Sequence, residues 1–299
     1  MVNISDVCKS NSKIDSTSLP GVAVFVGGTA GIGKLTLGEM AQLGMGFKAY
    51  VVGRPQSRES FESFEKELQK GNQDAEIIWV EGQVSLLSEG IDVSHALEYY
   101  TRICFAENLL PLLRASGRAR VISVHSGGLE SQWGFNVNDL NLEKPGTFGA
   151  IATQRHMGIM NTLGLERLSE MKGNESIVFI HSHPGIVRTG NLFRGWGTGW
   201  WGPWFAAIFM DPILMLLAYS FKESAERYLY QVTSGAFGGK GPVVPGLVGV
   251  NTRGETSGGL FLASRTCETV KNEKELAKLR GIAQEAVWAK TREIVDPFL

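Results

Sequence analysis

The chain lacks the features that would place it in several common classes. Cysteine is scarce: Cys8, Cys104 and Cys267 stand alone among 299 residues, with no CxxC pair. That excludes a disulfide framework or a cysteine zinc site and fits a reduced, cytoplasmic interior. An excess of one charge is missing too. Twenty-nine Lys+Arg against 30 Asp+Glu leave a formal charge of −1, so nothing courts a nucleic acid electrostatically. Residues 1–19 read as a polar amino-terminal arm without the apolar core of a signal peptide. Long apolar runs are nearly absent. The exception, "GWWGPWFAAIFMDPILMLLAY" from Gly199 to Tyr219, holds Asp211, Pro203 and Pro212 and is barely long enough to span a bilayer. No integral membrane span is expected. Residues 191–221, with Trp196, Trp200, Trp201, Trp204 and Phe205, read as a hydrophobic lid over an apolar small-molecule substrate, or as core packing.

What is present is an ordinary globular composition, 43% hydrophobic and 20% charged, with no internal repeat. Short apolar runs alternate with amphipathic segments, the mark of a parallel sheet with crossover helices. Strands are predicted at Val22–Gly28, Ala49–Gly53, Glu76–Glu81, Val121–His125, Ile177–His181 and Leu260–Ala263. Helices are predicted over 32–43, 58–70, 93–113, 150–171, 222–232 and 272–294.

The turn "VGGTAGIG" at 26–33 follows a strand and opens a helix. Gly27, Gly31 and Gly33 free the backbone to approach a pyrophosphate, with Thr29 and Ile32 completing the cradle at the helix start. The spacing G-x3-G-x-G departs from the usual dinucleotide fingerprint, and a purely structural turn is the alternative. Arg54 ends the second strand about twenty residues after the last glycine, where an acidic residue would select NAD and an arginine suits the 2′-phosphate of NADP.

These segments, together with "YVVGR" (50–54), "VSLL" (84–87), "EGIDVSHALEYYTRICFAENLLPLL" (89–113), "RVISVHSGG" (120–128), "FIHSHPGIVRT" (179–189) and "SAERYLYQVTS" (224–234), resemble the short-chain dehydrogenases/reductases, specifically the fungal members of secondary-metabolite gene clusters. The resemblance covers nearly the whole chain. It implies one Rossmann-type doubly wound domain over 20–299 with six to seven parallel strands: a nucleotide-binding core (20–190), the lid (191–221) and a carboxyl-terminal part (222–299). It implies NADP-dependent oxidoreduction of an apolar carbonyl or alcohol, with Pro184, Gly185, Val187 and Thr189 lining the nicotinamide. A homo-oligomer is left open.

The resemblance also implies a serine that polarises the carbonyl, and Ser126 holds that position. The family tyrosine, four residues before a lysine, is absent. None of the six tyrosines has a lysine at that spacing. Phe148 and Arg155 lie near the two vacated positions, and Glu98 stands where the family has an asparagine. His156, one helical turn on, is a candidate substitute acid beside Arg155, against the plainer reading of a structural histidine. His125, His181 and His183 also end central strands, but no carboxylate or cysteine keeps ligand spacing with them, so no metal is expected. "VSLL" runs directly into Ser88-Glu89-Gly90, where the family has a further helix and a fourth strand. A non-redox isomerase, dehydratase or cyclase and an inactive nucleotide-binding protein are the alternative functions.

Overall fold

The structure, a computed structural model, describes residues 2–84, 91–187 and 218–299. Within them the chain forms two compact units, each built on three parallel strands.

The first unit comprises residues 3–82 and 184–233. Its sheet has the order β1-β2-β3, with β1 at Val22–Val26, β2 at Phe47–Gly53 and β3 at Ala75–Glu81. Val24 aligns with Tyr50, and Tyr50 with Ile78. Helix α2 (Gly31–Gln42) returns the chain from β1 to β2, and α3 (Arg58–Gly71) returns it from β2 to β3. Leu37, Met40, Phe61, Leu68, Ala49 and Val51 bury the faces these elements turn to one another. α3 stays charged elsewhere because only Phe61 and Leu68 are buried along its 14 residues.

The amino-terminal stretch is more than an arm. Asn3 and Asp6 form a reciprocal capping box that starts helix α1 at Ile4–Asn11, and Val7 is fully buried. Asn11 donates to the main-chain oxygen of Glu226 at 2.9 Å and to its carboxylate at 2.7 Å.

The second unit comprises residues 83–183 and 234–299, with Val2. Its sheet has the order β4-β5-β6, from Arg120–Val124, Val178–Ser182 and Leu260–Ala263. The short turn α4 (Val93–His95) passes through a π segment at Ala96–Tyr100 into α5 (Thr101–Ser116). Sequence periodicity predicts a regular helix there. The wider turn re-aims its side chains, as such insertions often do beside functional sites. Helix α6 (Ala150–Ser169) is buried along most of its length, against Tyr99, Ile103, Phe179 and Leu279. Among the described residues the first unit also contains α7 (Phe221–Thr233) and the second α8 (Glu273–Val295).

The doubly wound α/β expectation therefore holds with six parallel strands, in two sheets of three. Among the described residues no strand lies between β3 and α4, where the resemblance calls for the fourth. Among the described residues β1 pairs with β2 alone, and its Val22, Val24 and Val26 are exposed. The lid, 191–221, falls almost wholly outside the described residues, as does Thr189.

Candidate functional site

In the first unit the turn after β1 is shaped for close backbone approach. Gly27 and Gly31 have φ of +89° and +58°, the left-handed region that disfavours side chains. A Cβ on Gly33 would lie 3.0 Å from the Gly27 oxygen and 3.1 Å from the Gly28 Cα, so only glycine lets α2 begin this near the turn. The helix start is uncapped: Ala30 offers no side-chain acceptor, and the first turn holds no acidic residue. Its free amides are an anion site. Ile32 adds a main-chain oxygen that accepts from Thr36 Oγ1 at 2.9 Å. Thr29 leans over the end of β2, where its Cγ2 would meet a Cβ on Gly53 at 2.7 Å.

Arg54 follows β2, exposed and with no partner among the described residues. Arg58 is committed elsewhere, to the Glu65 carboxylate at 2.7 Å and over the Trp79 ring at 5.2 Å. Arg54 thus leaves its guanidinium exposed at the end of β2, without a partner among the described residues. In the same unit Gly185 has φ +66°, Val187 bridges Tyr219, and the Tyr219 amide donates to the Ile186 oxygen at 2.9 Å. These contacts shape the segment Pro184–Val187.

The second unit carries Ser126. His125 prolongs β4 by one further bond, its amide reaching the Ser182 oxygen at 2.8 Å, which delivers Ser126 to the strand's carboxyl end. Ser126 Oγ lies 2.9 Å from His125 Nδ1, and His125 Nε2 lies 3.1 Å from Glu98 Oε2. Gln154 on α6 donates to both Glu98 carboxylate oxygens, at 3.0 and 3.1 Å. Asn161 Nδ2 binds the Glu98 main-chain oxygen at 2.6 Å, pinning the π segment that presents the carboxylate. The result is an unbroken serine–imidazole–carboxylate chain, with the His125 side chain 5% exposed and that of Glu98 25% exposed.

Ser126 and His156 are not brought together. The His156 Nε2 accepts from the Asn136 amide at 3.2 Å, so Nδ1 carries the hydrogen and meets the Leu140 oxygen at 3.2 Å. Both nitrogens are taken, the ring packs on Phe135 at 4.8 Å, and burial pushes its pKa down. His156 holds the 131–149 loop. Arg155 likewise turns away, its guanidinium 4.7 Å over the Trp133 ring. The α6 residue that meets Ser126 is Gly158, where a Cβ would sit 2.1 Å from Oγ. Helix α6 therefore offers the serine no side-chain hydrogen bond among the described residues, and the side chain bonded to Ser126 Oγ is His125. The adjacent His-Ser pair and the unexpected Glu98 were the sequence signals for it; Gln154 and Asn161 gave none. No group of three or more potential ligands able to hold a metal occurs among the described residues. No helix among them is long and apolar enough to cross a membrane.

No protein-family model matches the chain. It is 31% identical to the NmrA-like family domain-containing oxidoreductase notO of Aspergillus sp. (strain MF297-2), over 98% of this chain and 95% of that protein. It is 30% identical to oxidoreductase AN1596 of Emericella nidulans, over 99% and 98%. The two matches run over 331 and 342 positions against 299 residues, so at least 32 and 43 positions face no residue here. L-sorbose reductase from Gluconobacter frateurii, solved with NADPH and L-sorbose, shares the fold at 16% identity and a TM-score of 0.50, over 73% of this chain and 92% of that one. A short-chain dehydrogenase structure from Pseudomonas syringae shares it with a TM-score of 0.51, over 76% and 94% at 16% identity. With two relatives matched along almost their full length and two Rossmann-type half-sheets in the expected order, the chain belongs to the fungal oxidoreductases of the short-chain dehydrogenase/reductase type.

Proposed function

We propose that the protein interconverts an apolar ketone and its alcohol with NADP as the hydride carrier, Ser126 as the proton donor and His125 as its reservoir. The observation that carries this is the Ser126–His125–Glu98 chain, which supplies the acid–base function that the missing tyrosine and lysine would have provided. The nucleotide fits the residues present: an uncapped helix start beside two glycines at positive φ and a third, Gly33, packed closely on the turn, with Arg54 exposed at the end of β2 for the 2′-phosphate. When bound, NADPH supplies the hydride that adds to the carbonyl carbon.

The proton logic follows from hydrogen-bond inventory. With His125 neutral and its Nε2–H donated to Glu98, Nδ1 has only a lone pair, so the Ser126 hydroxyl donates to it and has no hydrogen for substrate. With His125 protonated, Nδ1–H donates to Oγ and the serine hydrogen is released toward the carbonyl oxygen. Reduction therefore uses the imidazolium form: Ser126 gives its proton to the developing alkoxide and is reprotonated from Nδ1. Oxidation uses the neutral form, which accepts the alcohol proton through Ser126. Glu98 accepts the Nε2–H in either form and so orients the ring. Arg102, at 2.7 Å from the Val124 oxygen, and the rings of His181 and His183 are the other titratable groups around His125.

The aromatic run between Trp196 and Phe205 supports an apolar substrate, of the size of a polyketide or terpenoid intermediate. Three free cysteines fit a reducing cytoplasmic setting. The test is NADPH consumption against a panel of apolar ketones at varied pH. Alcohol forms with matched NADPH consumption, and Ser126→Ala lowers both together. Product formed without NADPH consumption would instead select a non-redox reaction.

A further inference from the structure

Behind Ser126 lies a second set of polar groups that takes no part in that proton chain. Glu130, Thr162 and His181 are buried, at 5%, 0% and 0% exposure. Thr162 Oγ1 donates to Glu130 Oε1 at 2.6 Å and lies 2.7 Å from His181 Nδ1. His181 Nε2 accepts the main-chain amide of Ser126 at 3.2 Å. The same Glu130 oxygen accepts the Gly128 amide at 3.0 Å, and Asn272 donates to the Glu130 main-chain oxygen at 2.8 Å.

One hydrogen placement satisfies the whole set. Nε2 must be bare to accept from Ser126, so Nδ1 carries the hydrogen and donates to Thr162, which spends its own on an ionised Glu130. A protonated Glu130 donating to Thr162 would leave the threonine hydrogen to meet Nδ1–H head-on. Burial, working against the attraction of Glu130, holds His181 neutral and below the ordinary imidazole range. The turn is also pressed onto β5: a Cβ on Gly127 would lie 1.9 Å from the His181 oxygen.

We propose that Glu130, Thr162 and His181 form a buried positioning relay that fixes the main chain of residues 126–128 and thereby sets the Ser126 hydroxyl against His125. They are positioning residues, since none touches Ser126 Oγ. The proposal rests on Ser126 being the proton donor, but its first test does not. In protein carrying 15N-labelled histidine, His181 shows the neutral Nδ1–H tautomer at about pH 7. An Nε2–H tautomer or an imidazolium at His181 overturns the relay whether or not the protein turns over NADPH.

The second test uses Thr162→Val, which removes the hydroxyl at nearly constant volume. It lowers kcat about 10- to 100-fold, the cost of a misplaced reacting group, with KM for NADPH and ketone unchanged. Thr162→Ser restores the rate. An unchanged kcat in Thr162→Val, or a loss that Thr162→Ser shares in full, overturns the proposal. Should Thr162→Val not fold, the serine variant and the wild-type tautomer decide it.

Discussion

Replacing His125 with glutamine separates the proton chain from every other role in the molecule. The imidazole touches Ser126 with one nitrogen and Glu98 with the other, at 2.9 and 3.1 Å. A glutamine amide is shorter and can reach one of the two, and it does not titrate. The serine then keeps its capacity to hydrogen-bond a carbonyl but loses its proton supply. Loss of a general acid–base costs about 10²- to 10⁴-fold, roughly 3–5 kcal/mol of barrier. Reductive kcat/KM of His125→Gln should fall by that factor, while NADPH affinity stays as in the wild type. The matched control is His156→Gln. That ring bonds the Asn136 amide and the Leu140 oxygen in a buried loop, so its loss costs about 1–3 kcal/mol of stability, lowering Tm by several degrees. Its kcat should be near that of the wild type. Steady-state kinetics across pH, with thermal melts of both variants, make the comparison. A full rate loss in His156→Gln with His125→Gln active would refute the assignment of the acid.

Three further outcomes follow from other parts of the structure. Arg54→Ala should weaken NADPH about tenfold, leaving NADH unaffected, because an exposed charge-assisted contact to the 2′-phosphate is worth about 1.5 kcal/mol; equal loss for both nucleotides would contradict it. Gly33→Ala should reduce affinity for both, since its Cβ would meet the Gly27 oxygen at 3.0 Å and open the cradle; unaltered titrations would count against that geometry. Burial depresses the pKa of His95, His156, His181 and His183. Their folded values lie below the unfolded one, so the stability they contribute is present above about pH 6.5 and is lost as pH falls further. Melting temperature should accordingly drop on going from about pH 7 to about pH 5, and a flat profile would show that these rings charge without cost.

Local pattern reached the six strands closely. Val22–Gly28 is predicted and Val22–Val26 observed; Leu260–Ala263 agrees at both ends. Apolar runs bounded by glycine leave little freedom in such elements. Helix α1 was not legible because its stability depends on the Asn3–Asp6 caps and on packing against distant residues, with little periodicity in eight positions. The glycine turn between β1 and α2 was readable because its glycines act on their own neighbours. The acid was not. Helical spacing fixes where α6 runs but not that Gly158, bare of any side chain, is what faces Ser126. His156 sits on the same helix, yet a loop ending at Gly149 folds over it and takes both nitrogens. Glu130 and Thr162, 32 positions apart, meet only in the folded core. The abrupt junction after Leu87 was visible in the sequence, and among the described residues no strand lies between β3 and α4.

The most direct measurement supplies an apolar ketone together with NADPH deuterated at the transferred position, and reads the label in the alcohol. Wild-type protein should place deuterium on the carbinol carbon, and Ser126→Ala and His125→Gln should do so at least about a hundredfold more slowly. Product bearing no label, or equal transfer by all three proteins, would contradict hydride delivery with proton supply through Ser126 and His125.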